Sequence, residues 1–241
     1  CWGVIHPQWR CRGVGHRLLE AAYSRSVDYL AEIAEGAVHF QCVARDTEED
    51  RRALFESFGL KPVRYFVNMA RTLNGNLPPV QLPAGIRLRT FDRERDAETV
   101  WRVDDDAFRD HWGYAEGKLE EYLHWMDKPH LRPELWFLAE EESSGKVVGL
   151  GLNIIDPDWI AQTGRQEGYV DTLAVLREHR HKGLGTALLT QSLQALQEAG
   201  MEAAHLHADA ENLSGAIRLY ERSGFGVRKT SVAYQKEVRG R

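Results

Sequence analysis

Apolar side chains recur at helical spacing after residue 186, where Leu189, Leu193 and Leu196 share one face. A short, mainly apolar run at 170–175 precedes them. The pattern predicts a central strand at 170–175 followed by a helix over 186–199. Further back, Ile86-Arg87-Leu88-Arg89 alternates like a first strand. Residues 99–109 read as a helix, as do 116–126, where Leu119, Tyr122, Leu123 and Met126 fall at helical spacing. Residues 135–140 and 147–155 read as a hairpin turned by Ser143-Ser144-Gly145. A strand at 203–208, a helix at 214–223 and a last strand pair within 227–238 complete the second half. This order predicts an α/β (α+β) fold with a mixed sheet flanked by helices.

The first half is shorter. A strand-like stretch at 64–73 is broken by Leu73-Asn74-Gly75-Asn76-Leu77-Pro78-Pro79. Proline cannot donate to a ladder, and Gly and Asn favour turns. The expected division is a partial unit at 1–76, a linker at 77–85 and a complete unit at 86–241.

One motif occurs in both parts. Arg180-His181-Lys182-Gly183-Leu184-Gly185-Thr186 links the predicted strand to its helix, and Arg10-Cys11-Arg12-Gly13-Val14-Gly15-His16 repeats the pattern. A strand, a turn with two glycines and a helix form an anion cradle. Glycine lets the backbone come close, successive N–H groups point at the ligand, and the helix N-terminus favours negative charge. It is not the phosphate loop of nucleotide hydrolases, because Lys182 precedes Gly183 and no lysine separates Gly185 from Thr186. It is not a dinucleotide fingerprint either, since neither copy has a third glycine.

Downstream, His205-Leu206-His207-Ala208-Asp209-Ala210-Glu211-Asn212 leads into a helix carrying Leu219-Tyr220-Glu221 and ending in Gly224-Phe225. The loop and this second motif, in this order, resemble the core of the GCN5-related N-acetyltransferase (GNAT) superfamily. The resemblance covers 86–241, with a partial copy before it. In that copy Leu54-Phe55-Glu56 aligns on Leu219-Tyr220-Glu221, which puts Phe55 at the Tyr220 position and Thr47 at that of Asn212. The stretch corresponding to 86–170 is missing there, so the chain is expected to begin mid-domain, through truncation or as a fragment. The doubled arrangement resembles tandem members of the superfamily of the mycothiol synthase type. In those the C-terminal unit is the catalytic one, but the base position here departs from their pattern.

The resemblance implies a GNAT fold and an acetyl-CoA-dependent enzyme that acetylates a small-molecule amine by direct attack in a ternary complex. It implies that Leu173, Ala174 and Val175 pair with the pantetheine arm. It also implies that Arg180, His181, Lys182, Gly183, Leu184, Gly185 and Thr186 take the pyrophosphate, mainly through backbone N–H groups. Arg180 and Lys182 add charge or form a solvated basic turn. Tyr220 is the expected acid toward the departing sulfur, and Asn212 either contacts the cofactor or caps the following helix. The position of the family's strand glutamate is Tyr169 here. Glu167 and Asp171 flank it on the same strand face by alternation, and either is a candidate base. The acceptor pocket is expected around Phe108, His111, Trp112 and Tyr169. The run Asp104-Asp105-Asp106 beside these aromatics either attracts a cationic amine or forms a solvated acidic face. Trp159, in Asp156-Pro157-Asp158-Trp159, reads as a loop aromatic, and Asp209 and Glu211 as solvated turn residues. Two other readings stay open: an acetyl-CoA-binding regulatory protein with a degenerate site, and acetylation of a protein or peptide amine.

Composition narrows the picture. Of 241 residues, 43% are hydrophobic and 28% charged, enough for packed cores. No run is long enough to span a membrane, and a formal charge of -5 argues against non-specific nucleic-acid binding. The three cysteines, Cys1, Cys11 and Cys42, have no metal spacing, and their odd number speaks against a disulfide framework. A cytoplasmic location is the default expectation, no metal is expected, and a homodimer is left open.

Overall fold

The computed structural model describes residues 3–30, 38–128, 131–212 and 215–238. In chain order its elements are α1 (Val14–Leu30), β1 (Val38–Arg45), α2 (Glu49–Ser57), β2 (Lys61–Thr72), β3 (Ile86–Thr90), α3 (Arg93–Phe108), α4 (Leu119–Met126), β4 (Phe137–Glu141), β5 (Val147–Ile154), α5 (Pro157–Thr163), β6 (Glu167–Val175), α6 (Leu184–Glu198), β7 (Ala203–Asp209), α7 (Ala216–Arg222) and β8 (Gly226–Val238). Among the described residues no helix is long and apolar enough to cross a membrane.

By contact the chain divides into two compact units. One comprises Cys1–Asn68, Ala208–Leu213 and Val227–Arg241; the other comprises Met69–His207 and Ser214–Gly226. Division by contact thus differs from division by repeat at 77–85: the last strand of the chain belongs to the first unit.

In the second unit the strands lie in the order β7-β6-β5-β4-β3. Central β6 runs antiparallel to β5, from Gly149↔Val175 to Ile154↔Tyr169, and parallel to β7 from Glu167↔Ala203 to Tyr169↔His205. Burial alternates along β6. Gly168, Val170, Thr172 and Ala174 are buried, while the intervening residues are more open. The buried face meets α6, whose Leu188, Leu189, Leu193 and Leu196 are essentially inaccessible. Each such leucine contributes about 2 kcal/mol of hydrophobic stabilisation. Gly168 lets α6 come close, because a Cβ there would lie 2.5 Å from Leu196 Cδ2 and force that side chain to move. The contacts of α3 with β5 and β6 bury Val100, Val103 and Ala107.

Capping shifts several predicted boundaries. The Asp92 carboxylate accepts from the N–H groups of Glu94 and Arg95, so α3 starts at Arg93, before residue 99. Asp156 caps α5 in the same way with Pro157 in its first turn, so Trp159 is helical and not in a loop. Trp136 is fully buried. It stacks on Trp125 with centroids 5.4 Å apart and donates from Nε1 to Asn153 O at 3.0 Å.

In the first unit β8 runs antiparallel to β1 from Val38↔Val238 to Arg45↔Ser231. The expected strand pair at 227–238 is therefore one long strand. No Gly, Pro or Asn lies between Val227 and Val238 to turn it. Its core gathers Leu19, Phe40, Phe55, Leu60, Val232 and Tyr234. Asp209, read as a solvated turn residue, is buried, and Arg64 grips both its oxygens at 2.8–3.0 Å. The guanidinium supplies donors that replace the lost water.

Candidate functional site

The loop between β6 and α6 is built as the sequence requires. Residues Arg177–His179 form a single 3-10 turn. His181 then adopts φ 61° and Gly183 φ 87° before α6 begins. No side chain caps the helix at Gly183, and a Cβ placed there would meet nothing within 4 Å. The helix start therefore faces open space with its N–H groups uncapped by side chains, which fits the pyrophosphate of a coenzyme A group. Arg180 is turned inward. Its Nε donates to Val175 O at 2.9 Å and its Nη2 to Ala107 O at 2.8 Å, so it ties the loop to β6 and to the end of α3.

The first copy reproduces this backbone. Arg10 and Arg180 share φ -68° and ψ 159°, and Cys11 and Gly13 adopt φ 57° and 76°. Arg10 Nε donates to Ile5 O at 3.3 Å, the counterpart of the bond from Arg180 to Val175. A Cβ on Gly15 would crowd Leu54 and Ile5, and one on Gly185 would touch Leu219 and Val175. Helices α2 and α7 also end alike: Leu60 N donates to Phe55 O and Phe225 N to Tyr220 O, each at 3.0 Å. Phe55 and Tyr220 each accept the bond that closes their helix, and both are buried.

Past Tyr169 the parallel ladder to β7 stops, and β6 keeps β5 as its ladder partner. Leu173, Ala174 and Val175 lie in this stretch. It can accept an extended peptide-like chain as an added strand. The Val175 carbonyl is engaged by Arg180.

The more open face of β6 carries Glu167, Tyr169 and Asp171. Their surroundings separate them. Glu167 accepts from Trp159 Nε1 at 3.1 Å through Oε2, and its Oε1 lies 3.4 Å from His205 Nε2. Asp171 is exposed at the surface yet crowded by protein around its carboxyl, and burial raises its pKa. Burial likewise pushes Tyr169 up to about 12, with the Asp171 charge adding to it.

One residue of the acidic run joins this face. Asp104 follows Val100 and Val103 on the buried side of α3. Burial pushes its pKa up to about 6; the Tyr122 phenol damps the rise, and the nearby charges of Asp171 and Asp105 add to it. The Tyr122 hydroxyl is closed off from solvent, and burial, with the Asp104 charge beside it, raises its pKa above the ordinary tyrosine value. Asp105 instead accepts from Tyr114 Oη at 2.7 Å. Asp106 is exposed and paired with Arg109. The signal for Asp104 was its spacing from Val100, Val103 and Ala107, not membership of a charge run.

Tyr220 sits in α7 with its ring 6.1 Å from that of Phe225, and burial pushes its pKa up to about 12. Phe108 packs edge-on against His111 at 4.4 Å, just past the end of α3. Trp112 follows in the turn before Gly113. Asn212 belongs by contact to the first unit, where its N–H donates to Asp209 O at 3.2 Å.

Known proteins resemble the chain along nearly all of its length. The family model described as the acetyltransferase (GNAT) family matches residues 97–225. A mycothiol acetyltransferase from Thermobispora bispora is 33% identical over 97% of this chain and 74% of its own length. A solved GCN5-related N-acetyltransferase from Sphaerobacter thermophilus is 30% identical, with a TM-score of 0.83 over 98% of this chain and 72% of that one. A tandem GNAT protein from the clavulanic acid biosynthesis pathway shares the fold, with a TM-score of 0.70 at 16% identity over 99% of this chain and 74% of its own. The chain belongs to the GNAT family and is an acyltransferase that uses acetyl-CoA.

Proposed function

We propose that the chain acetylates an amine of a small molecule by direct attack in a ternary complex, with the reacting groups on the second unit. The observation that carries this reading is the fork in the sheet. The edge of β6 is released after Tyr169, the anion loop follows directly, and Asp171 stands on the same stretch of strand. Bound acetyl-CoA supplies the acetyl group as a thioester. Asp171 is the group we assign to accept the amine proton. Its raised pKa makes it a better base than an ordinary exposed carboxylate. Asp104 adds negative charge beside it and favours a cationic acceptor. Tyr220, held protonated by its raised pKa, is assigned to give a proton or hydrogen bond to the departing sulfur.

The same reading gives the first unit a supporting role. Its matching ring, Phe55, has no proton to give and packs edge-on against Tyr234 at 5.5 Å. The first acceptor to test is that of the mycothiol acetyltransferases, the name carried by the relatives. The test is a thiol-release assay across an amine panel that includes peptide N-termini. Turnover with a small amine, reduced sharply in Tyr220→Phe, is the expected result. Cofactor binding without turnover on any amine marks a regulatory protein, and turnover confined to peptides marks a peptide acetyltransferase.

A further inference from the structure

We infer that a cavity of about 790 Å³ beside α3 and the β3-β4-β5 edge of the second unit is a binding site for a phosphorylated small anion. Seven cationic side chains and five carboxylates line it, in a chain whose formal charge is -5. The local excess is thus opposite in sign to that of the whole molecule.

The layering of these charges points the same way. Glu140 and Asp96 form the floor and are only 7% and 2% exposed. Glu140 accepts from Arg87 and Arg89, and Asp96 from Arg89 and Arg95. Three guanidiniums therefore meet two covered carboxylates, and one positive charge is left over. Arg87 and Arg95 bond these acids through Nε and Nη2, which leaves Nη1 of each outside those bonds. Both are about 60% exposed at the cavity. A fork held from behind by a carboxylate is oriented for an oxyanion in front. Arg102 lies two turns along α3 from Arg95, and its partner Glu98 is not part of the lining. An exposed pair of that kind is worth about 1 kcal/mol or less and yields readily to a polyvalent anion.

The position of the cavity gives it a consequence. Its wall includes Leu176, Arg177 and Glu178, immediately before the anion loop. Arg177 is paired with Asp110, and Lys146 with Glu178 at 3.1 Å. An anion drawing on Arg177 or Lys146 competes with contacts that seat the loop. The ligand class is a molecule with closely spaced phosphates or an equivalent polyanion. It is either the 3′-phosphate end of coenzyme A itself or a separate phosphorylated metabolite.

The test is calorimetric titration of the full chain with sodium tripolyphosphate at about 0.15 M salt. Saturable one-to-one binding is expected, weakened about tenfold in Arg95→Ala/Arg102→Ala and unchanged in Arg165→Ala, an exposed arginine outside the cavity. Arg102→Ala alone, which strips no buried acid of a partner, serves if the double variant melts early. No saturable binding by the parent, or equal affinity in all variants, overturns the site. Competition then identifies the source. Displacement by CoA and not by dephospho-CoA assigns the cofactor's 3′-phosphate. Simultaneous binding of tripolyphosphate and acetyl-CoA assigns a separate metabolite. Either result retains the site.

Discussion

The Arg180 guanidinium donates to the carbonyl oxygen of Val175, five residues earlier, at 2.9 Å, and with its other arm to Ala107 O at 2.8 Å. One side chain thus fixes the exit of β6, the anion loop and the end of α3 relative to each other within the second unit. Arg180→Ala removes two hydrogen bonds from a charged donor, each worth on the order of 2 kcal/mol. It is expected to raise KM for acetyl-CoA about tenfold, with a smaller effect on kcat. Arg180→Lys, which cannot bridge both carbonyls, restores only part. Steady-state kinetics with calorimetry of CoA binding checks this. A variant with unchanged KM and CoA affinity would show that the loop holds its shape without the strap.

Asp104 carries a stability cost. Its pKa is raised to about 6 from 3.8, so its ionisation is disfavoured in the folded state. The sign follows: the cost is absent below about pH 4, grows as pH rises through 6, and levels off above that at about 3 kcal/mol. Asp104→Asn is expected to raise Tm at pH 8 and to leave it nearly unchanged at pH 4. Paired melts at the two pH values measure the difference. An equal shift at both would point to packing and not to charge.

Much of this site was legible in the sequence because backbone geometry chose the residues. Gly13 and Gly183 sit at positive φ before a helix in both copies, and Gly15 lets Leu54 come close. The helices that carry Phe55 and Tyr220 end with the same backbone bond, from Leu60 N to Phe55 O and from Phe225 N to Tyr220 O. Less legible was anything set by direction around a helix. Asp104, Asp105 and Asp106 are adjacent in sequence but turn by about 100° per residue. One is turned inward, one holds Tyr114 and one faces solvent. The inward turn of Arg180 was hidden for a similar reason, since composition gives a guanidinium no direction. The single strand at Gly226–Val238 follows from the absence of turn residues between Val227 and Val238.

Tyr220 titrates far from neutrality. With its pKa near 12, no basic limb from this phenol is expected in kcat between about pH 6 and 9. The acidic limb belongs to the carboxylates, whose raised pKa values bring deprotonation toward neutrality. Tyr220→Phe is expected to lower kcat by about 100-fold or more while CoA affinity and the acidic limb stay. Its core packing is kept, so Tm moves little. A pH–rate profile of the variant that loses the acidic limb would assign that limb to the wrong group.

The two flanking carboxylates of β6 give opposite expectations. Glu167 is held by Trp159 Nε1 at 3.1 Å, with His205 Nε2 at 3.4 Å and Arg165 at 3.8 Å nearby. Its Oε2 is already taken by the Trp159 N–H, and its Oε1 faces His205 and Arg165. Burial raises the Asp171 pKa, and only the Thr172 side chain opposes the rise. Glu167→Gln keeps an acceptor for the Trp159 N–H and is expected to retain kcat within a few-fold. Asp171→Asn is expected to lose about 100-fold and to flatten the acidic limb. Measuring both at pH 6 and pH 8 separates the roles: a proton acceptor loses its rate advantage most where it is ionised. If the two variants lose activity equally, or Glu167→Gln the more, the base belongs at the other end of the strand and the assignment of Asp171 fails.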